Sequence, residues 1–135
     1  MLIRNIAAKE TVLIRLNPGD DILQSLRKAV ADQGIKNGLI LTGVGSVRAY
    51  HYHVVDGFDL PPPEAFARDD KPLDVVNVNG LIISGRVHAH ITFADAKAAL
   101  GGHMEEGCIV LTFAVIAVCD LGEVDLSGWD SIACL

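Results

Sequence analysis

Two histidines separated by a single residue, His88 and His90 in Gly85-Arg86-Val87-His88-Ala89-His90, are the residues whose type and spacing point most directly to chemistry. A β-strand sends alternate side chains to opposite faces, so within a strand both imidazoles leave the same side and can converge on one ion. Val87, Ala89, Ile91 and Phe93 would then form the apolar face that such a strand buries. A third histidine stands in Gly101-Gly102-His103-Met104-Glu105-Glu106-Gly107, where the glycines permit a tight turn that would bring His103 back across the sheet. Three imidazoles leave one position of a tetrahedral zinc ion open, as catalytic rather than structural sites do. Nickel, iron and manganese accept the same ligands. The alternative is three ordinary histidines, one hydrogen-bonded in the core and two at the surface, and spacing alone leaves both readings open.

Other residues fall around this constellation. His51 and His53 form a second pair on one strand face, as rival ligands, as groups that orient the ligands, or as polar residues on a solvated side. Arg86 shares the parity of His88 and His90, and is placed either to bind a substrate carboxylate or to pair with an acidic side chain. Glu105 and Glu106 offer a general base beside His103, or simply solvate a turn. Gly43-Val44-Gly45-Ser46 has backbone N–H groups for an anion but lacks the lysine and following helix of a phosphate loop, so it reads first as a tight turn between strands. Ser46 has no surrounding elbow motif that would make it a nucleophile.

The elements that must position these groups are legible as periodicities. Thr11 to Leu16 reads as a strand that stops at Asn17-Pro18-Gly19. From Asp20 to Gln33, Ile22, Leu23, Leu26, Ala29 and Val30 recur at helical spacing; Asp20 and Asp21 suit the positive N-terminus and Gly34 the left-handed stop. Strand-like runs follow at 38–43, 47–55, 74–83, 87–93 and 108–121, the last long enough to bend. The proline-containing stretch 56–72 reads as a surface loop or lid, and 94–100 as a short helix. One main helix followed by strands predicts a single α+β domain over 1–135, with a twisted, mainly antiparallel central sheet. The apolar end of the final segment, 123–135, would dock on the core or on a neighbouring subunit.

Half of the residues are apolar and 21% are charged, a balance suited to a dense core. Seventeen acidic against 11 basic residues give a formal charge of −6, with the basic residues scattered, which argues against bulk affinity for nucleic acid. No stretch reaches the roughly 18–20 apolar residues of a membrane span, and nothing at the start reads as a secretory leader, so the expected location is the cytoplasm. Cys108, Cys119 and Cys134 are odd in number and unclustered, as reduced, packed thiols would be.

Leu16-Asn17-Pro18-Gly19-Asp20-Asp21-Ile22-Leu23, Gly43-Val44-Gly45-Ser46-Val47, and Gly85-Arg86-Val87-His88-Ala89-His90 with Gly101-Gly102-His103 together resemble the PCC domain, shared by plants and prokaryotes and found in plant AT-hook nuclear proteins. The resemblance runs from about Thr11 to Cys119, with the segments in the expected order. It implies an α+β homotrimer whose His88, His90 and His103 are able to hold a metal near a subunit boundary, and the three-imidazole set suits a divalent ion, zinc by preference. Asp74, in Leu73-Asp74-Val75-Val76-Asn77-Val78-Asn79-Gly80, stands where the family usually has Glu. Arg86, Ser46 and Asp74 are the candidate contacts for a small anionic ligand. The alternative is a DNA-associated or regulatory scaffold. The Arg-Gly-Arg-Pro hook that enters the minor groove in plant members is absent, and the acidic charge lends DNA binding no physical support.

Overall fold

A computed structural model describes residues 1–132; Cys134 and the last residues of the final segment lie outside them. The elements in chain order are β1 (Glu10–Leu16), α1 (Ile22–Asp32), β2 (Gly38–Val55), β3 (Glu64–Asp69), β4 (Leu73–Ile83), β5 (Arg86–Ala94), β6 (Ala99–Met104) and β7 (Ile109–Asp120). Seven strands form one sheet in the order β1-β7-β2-β4-β5-β6, with β3 added to β2, and every pairing is antiparallel. β2 is long enough to serve two neighbourhoods. Its first half pairs with β4 and β7, and its second half bends round to pair with β3 and β6. That bend closes β2, β4, β5 and β6 on one another and brings His53 opposite His103.

The expected α+β architecture is present, with the helix laid over one face of the sheet. Ile22, Leu23, Leu26 and Val30 of α1 are buried and join Val87, Ala89, Ile91 and Phe93 of β5 in one core cluster. Burying both sets removes apolar surface from water at about 25 cal/mol per Å2. The Asp21 side chain caps the helix, accepting from Gln24 N at 3.0 Å, and its other oxygen accepts from Gly107 N at 2.6 Å. The cap thus ties the helix to the turn that follows His103. Gly34 stops the helix with φ +64°.

Three local expectations are corrected. Gly43 to Ser46 is not a turn but the middle of β2, and its glycines serve close approach: a Cβ on Gly43 would lie 2.7 Å from Val78 Cβ, and one on Gly45 2.2 Å from Phe113 O. The stretch 56–72 is not all loop, because Glu64–Asp69 adds β3 to β2. The stretch 94–100 is a turn leading into β6, not a helix. Asp95 accepts hydrogen bonds from Lys97 N and Ala98 N, and Ala99 is already paired with Ala94. As a result His103 stands on a strand, where pleat and register fix its direction, rather than on a turn.

Leu126 of the final segment is buried against Ile83, Cys119 and Leu121, so this part of the segment docks on the protein's own core. No helix among the described residues is long and apolar enough to cross a membrane.

Gly80 of β4 sits opposite Ala89, and a Cβ there would lie 2.1 Å from His88 O. Gly80→Ala should therefore force the β4 and β5 backbones apart, costing on the order of 1–3 kcal/mol in urea denaturation. Unchanged stability would mean that the pair can separate freely.

Candidate metal centre

β5 alternates as its sequence requires: Val87, Ala89, Ile91 and Phe93 are buried, while Arg86, His88, His90 and Thr92 lie on the other face. β6 then pairs with β5 so that His103 is directly opposite His90. The rings of His88 and His90 are nearly parallel, with centroids 5.5 Å apart, and His103 meets both edge-on at 4.7 and 5.3 Å. One ligand nitrogen from each lies within 4.8 Å of the others, close enough for small side-chain rotations to bring all three onto one ion.

The electrostatics suit a cation. Burial lowers the His103 pKa to about 4, helped by the charges of His88, His53 and His90 and opposed by Glu105. Burial also lowers that of His90, followed by the effects of His88 and His53. Both imidazoles are therefore neutral at pH 7 and present lone pairs, the form a metal requires.

His53 belongs to this cluster and His51 does not. The His53 ring stacks on His103 at 4.5 Å; its Nδ1 is 2.8 Å from Glu105 Oε1 and its Nε2 3.5 Å from Glu64 Oε1. His53, His103 and Glu105 thereby form a second set of convergent ligand atoms that shares His103 with the first. His51 lies one pleat back, its Nδ1 on Glu106 O at 2.8 Å. The Glu106 carboxylate is held by Gln24 and Arg27 of α1, so it braces the turn, whereas Glu105 reaches the cluster.

Arg86 shares the histidine face, as its parity predicts, but it is occupied. Its guanidinium nitrogen donates to both oxygens of Asp130, at 2.7 and 2.6 Å. The Asp130 side chain is only 4% exposed, and its Oδ2 is 3.5 Å from His88 Nδ1. Burial pushes the Asp130 carboxyl up, but the hydrogen bond and charge of Arg86 outweigh this and leave its pKa below the usual value. Asp130 therefore stands behind His88, as Glu105 stands beside His53. Sequence reasoning missed it, since nothing in Ser127-Gly128-Trp129-Asp130 signals a partner 44 residues away.

Ser46 and Asp74 are brought together, but elsewhere. They are register partners across β2 and β4, and Ser46 Oγ shares a 2.6 Å hydrogen bond with Thr112 Oγ1. Asp74 pairs with Ala94, four residues along β5 from His90, a separation of roughly 13 Å at strand rise. Both line a shallow hollow of about 200 Å3 with Pro72 and Leu111. The histidines line their own cavity of about 320 Å3, together with His53, Val54, Val55 and Gly102. A larger hollow of about 500 Å3 along Tyr50, His51 and Arg68 contains neither ligand group.

Residues 4–121 match the Plants and Prokaryotes Conserved (PCC) domain, and the chain belongs to that family. It is similar to a bifunctional protein GlmU from a Synechococcus strain, 31% identical over 84% of this chain but only 17% of that protein. The chain thus spans about one sixth of the length of this relative. A metal-containing protein from Archaeoglobus fulgidus shares the fold with a TM-score of 0.77, 18% identity and coverage of 90% of this chain and 86% of that one. A Bacteroides thetaiotaomicron protein that carries a provisional DNA-binding name shares it with a TM-score of 0.72, 18% identity and coverage of 89% and 86%.

In the unfolded chain a histidine titrates near 6.5, so with a folded pKa of about 4 the native state binds fewer protons than the unfolded state in between. Through His103, the metal-free protein should therefore lose stability as pH falls from about 6.5 towards 4. Imidazole NMR should find His103 still neutral at pH 5.5; a ring fully protonated there would mean that water reaches it freely.

Proposed function

We propose that this PCC domain is a metal-binding domain in which His88, His90 and His103 hold one divalent cation and leave a coordination position facing the cavity for a small ligand. The observation that carries this reading is the convergence of three imidazoles, with His90 and His103 held neutral and His88 backed by Asp130. Three nitrogen donors with an open position suit zinc, and the open position serves either ligand recognition or metal-assisted chemistry. Because Arg86 is held by Asp130, the charge of an anionic ligand falls to the metal.

The reading includes a homotrimer. Val44, Val76, Leu111 and Phe113 are 41–52% exposed and line one apolar hollow on the sheet, the kind of surface that association covers. It also places the protein in the cytoplasm, where the buried Cys108 and Cys119 remain free thiols.

Elemental analysis of tag-free protein, after supplementation with zinc, tests the site. Wild type should carry one metal per chain, and the His88→Ala, His90→Ala double variant close to none; negligible metal in the wild type would end this reading. Asp130→Asn should keep the metal but bind it about 10–100-fold more weakly in a chelator competition, because His88 loses its orienting carboxylate. Equal affinity would assign Asp130 to Arg86 alone.

A second reading, a DNA-associated scaffold, is favoured by the provisional name of the Bacteroides protein and opposed by a net charge of −6. Retention on DNA that survives about 0.15 M salt would support it. We expect retention to vanish there.

A further inference from the structure

His103 belongs to two sets of convergent ligand atoms. It meets His88 and His90 edge-on, at 77° and 82°, and stacks on His53 at 29° with the ring centroids 4.5 Å apart. In the second set, one ligand atom from each of His53, His103 and Glu105 lies within 4.8 Å of the others. The backbone puts them there. His53 and His103 are opposed residues of β2 and β6, and Glu105, which follows β6, is tied back to β2 by its N–H, which donates to His51 O at 3.0 Å. Both flanking side chains are shielded in part, His53 being 14% exposed and Glu105 30%.

His53 is held in the manner of a metal ligand. Its Nδ1 is 2.8 Å from Glu105 Oε1, and its Nε2 is 3.5 Å from Glu64 Oε1. A neutral imidazole has one N–H and one lone pair, so it cannot donate to both carboxylates. Without a cation, Nδ1–H donates to Glu105 and Glu64 stays at the looser distance. With one, Nε2–H turns to Glu64 as the outer carboxylate that orients a ligand ring, and the Nδ1 lone pair and Glu105 Oε1 face the ion together. Ligand atoms around an ion at about 2.0–2.2 Å stand roughly 3.3 Å apart, so a shift of about half an ångström between these two admits it.

We propose that His53, His103 and Glu105 form a second position for a divalent cation, alternative to the three-imidazole one. Two imidazoles and one carboxylate are the ligand set of non-haem iron(II) sites, and the carboxylate oxygen suits harder ions such as Mn2+. Filling this position breaks the hydrogen bond between His53 and Glu105, a cost that the three-imidazole set does not bear. It is therefore the weaker of the two, filled in equilibrium with metal in solution and emptied when that metal is removed during purification. Sharing makes the two positions exclusive: a neutral imidazole has a single lone pair, so an ion in one position denies His103 to the other. The inference goes beyond the three-imidazole reading, from which it borrows His103 alone.

The test is a titration with Mn2+, followed by the EPR signal of the free ion so that no separation step intervenes. The His88→Ala, His90→Ala variant, its fold checked by circular dichroism, should still bind one Mn2+ per chain. Adding Glu105→Gln should weaken that binding by more than about 100-fold, beyond the roughly 10–100-fold that losing an outer partner costs. Glu105→Gln alone retains every histidine and reads the same position should the double variant not fold. It should keep its zinc, yet bind Mn2+ in the zinc-free state about tenfold or more weakly than wild type. Zinc-loaded wild type should bind no Mn2+. Absence of binding by a folded double variant, Mn2+ affinity indifferent to Glu105→Gln, or Mn2+ uptake by the zinc-loaded protein would each overturn the proposal. A wild type that takes up no zinc would end the three-imidazole reading and leave this one to the Mn2+ result.

Discussion

The register of β5 against β6 is the constraint on which the candidate centre depends. His90 and His103 meet because they are opposed residues of an antiparallel pair, and His88 joins them because it is two residues from His90 on the same pleat. A slip of one residue would send every β5 side chain to the wrong face, exposing Ile91 and Phe93 and burying both histidines. The burial of Val87, Ala89, Ile91 and Phe93 beneath α1 therefore fixes the direction of His88 and His90. Hydrophobic packing on one face and ligand geometry on the other are two consequences of one alternation.

The closure of the sheet adds the rest. Because β2 bends round to β6, His53 arrives against His103 and carries Glu105 and Glu64 with it. The bend rests on register shifts in β2 around Gly45 and Val47, where glycine lets β7 approach within a distance that no Cβ permits. Two elements remote in sequence thus complete the site: the far half of β2 supplies His53, and the final segment supplies Asp130. Both bring a carboxylate within 3.5 Å of an imidazole.

How far the sequence could be read follows from the range of each interaction. The helix and β5 are written in local periodicity, and they are found with shifts of one or two residues. The strand pair at 38–43 and 47–55 was divisible on paper because Gly43 and Gly45 look like turn residues; only the neighbouring strands reveal that they are there for close approach. The stretch 94–100, with four alanines, has good helix formers, but Asp95 bonds to its own turn and β5 offers a partner ladder, so tertiary pairing overrides propensity. Glu64–Asp69 was hidden because a short, charged edge strand lacks a buried face. Within the site, parity gave His88, His90 and the face of Arg86. It could not give Asp130, whose contact depends on where a turn near the chain's end is laid down.

The imidazole cluster also poses an energetic problem. His90 and His103 are held where burial and neighbouring imidazoles disfavour a proton, and His103 gains no compensating hydrogen bond strong enough to restore its ordinary basicity. A protein with no use for those lone pairs would be more stable at mildly acidic pH with apolar or amide side chains in their place, since each protonation withheld by the folded state favours unfolding. On the proposed reading a divalent cation resolves the conflict. It takes the lone pairs without needing the protons, and its two positive charges complement Glu105 and Glu64 beside His53, whereas Asp130 is already paired with Arg86. The carboxylates beside His53 that make the empty cluster a poor place for an anion make it a good place for a metal.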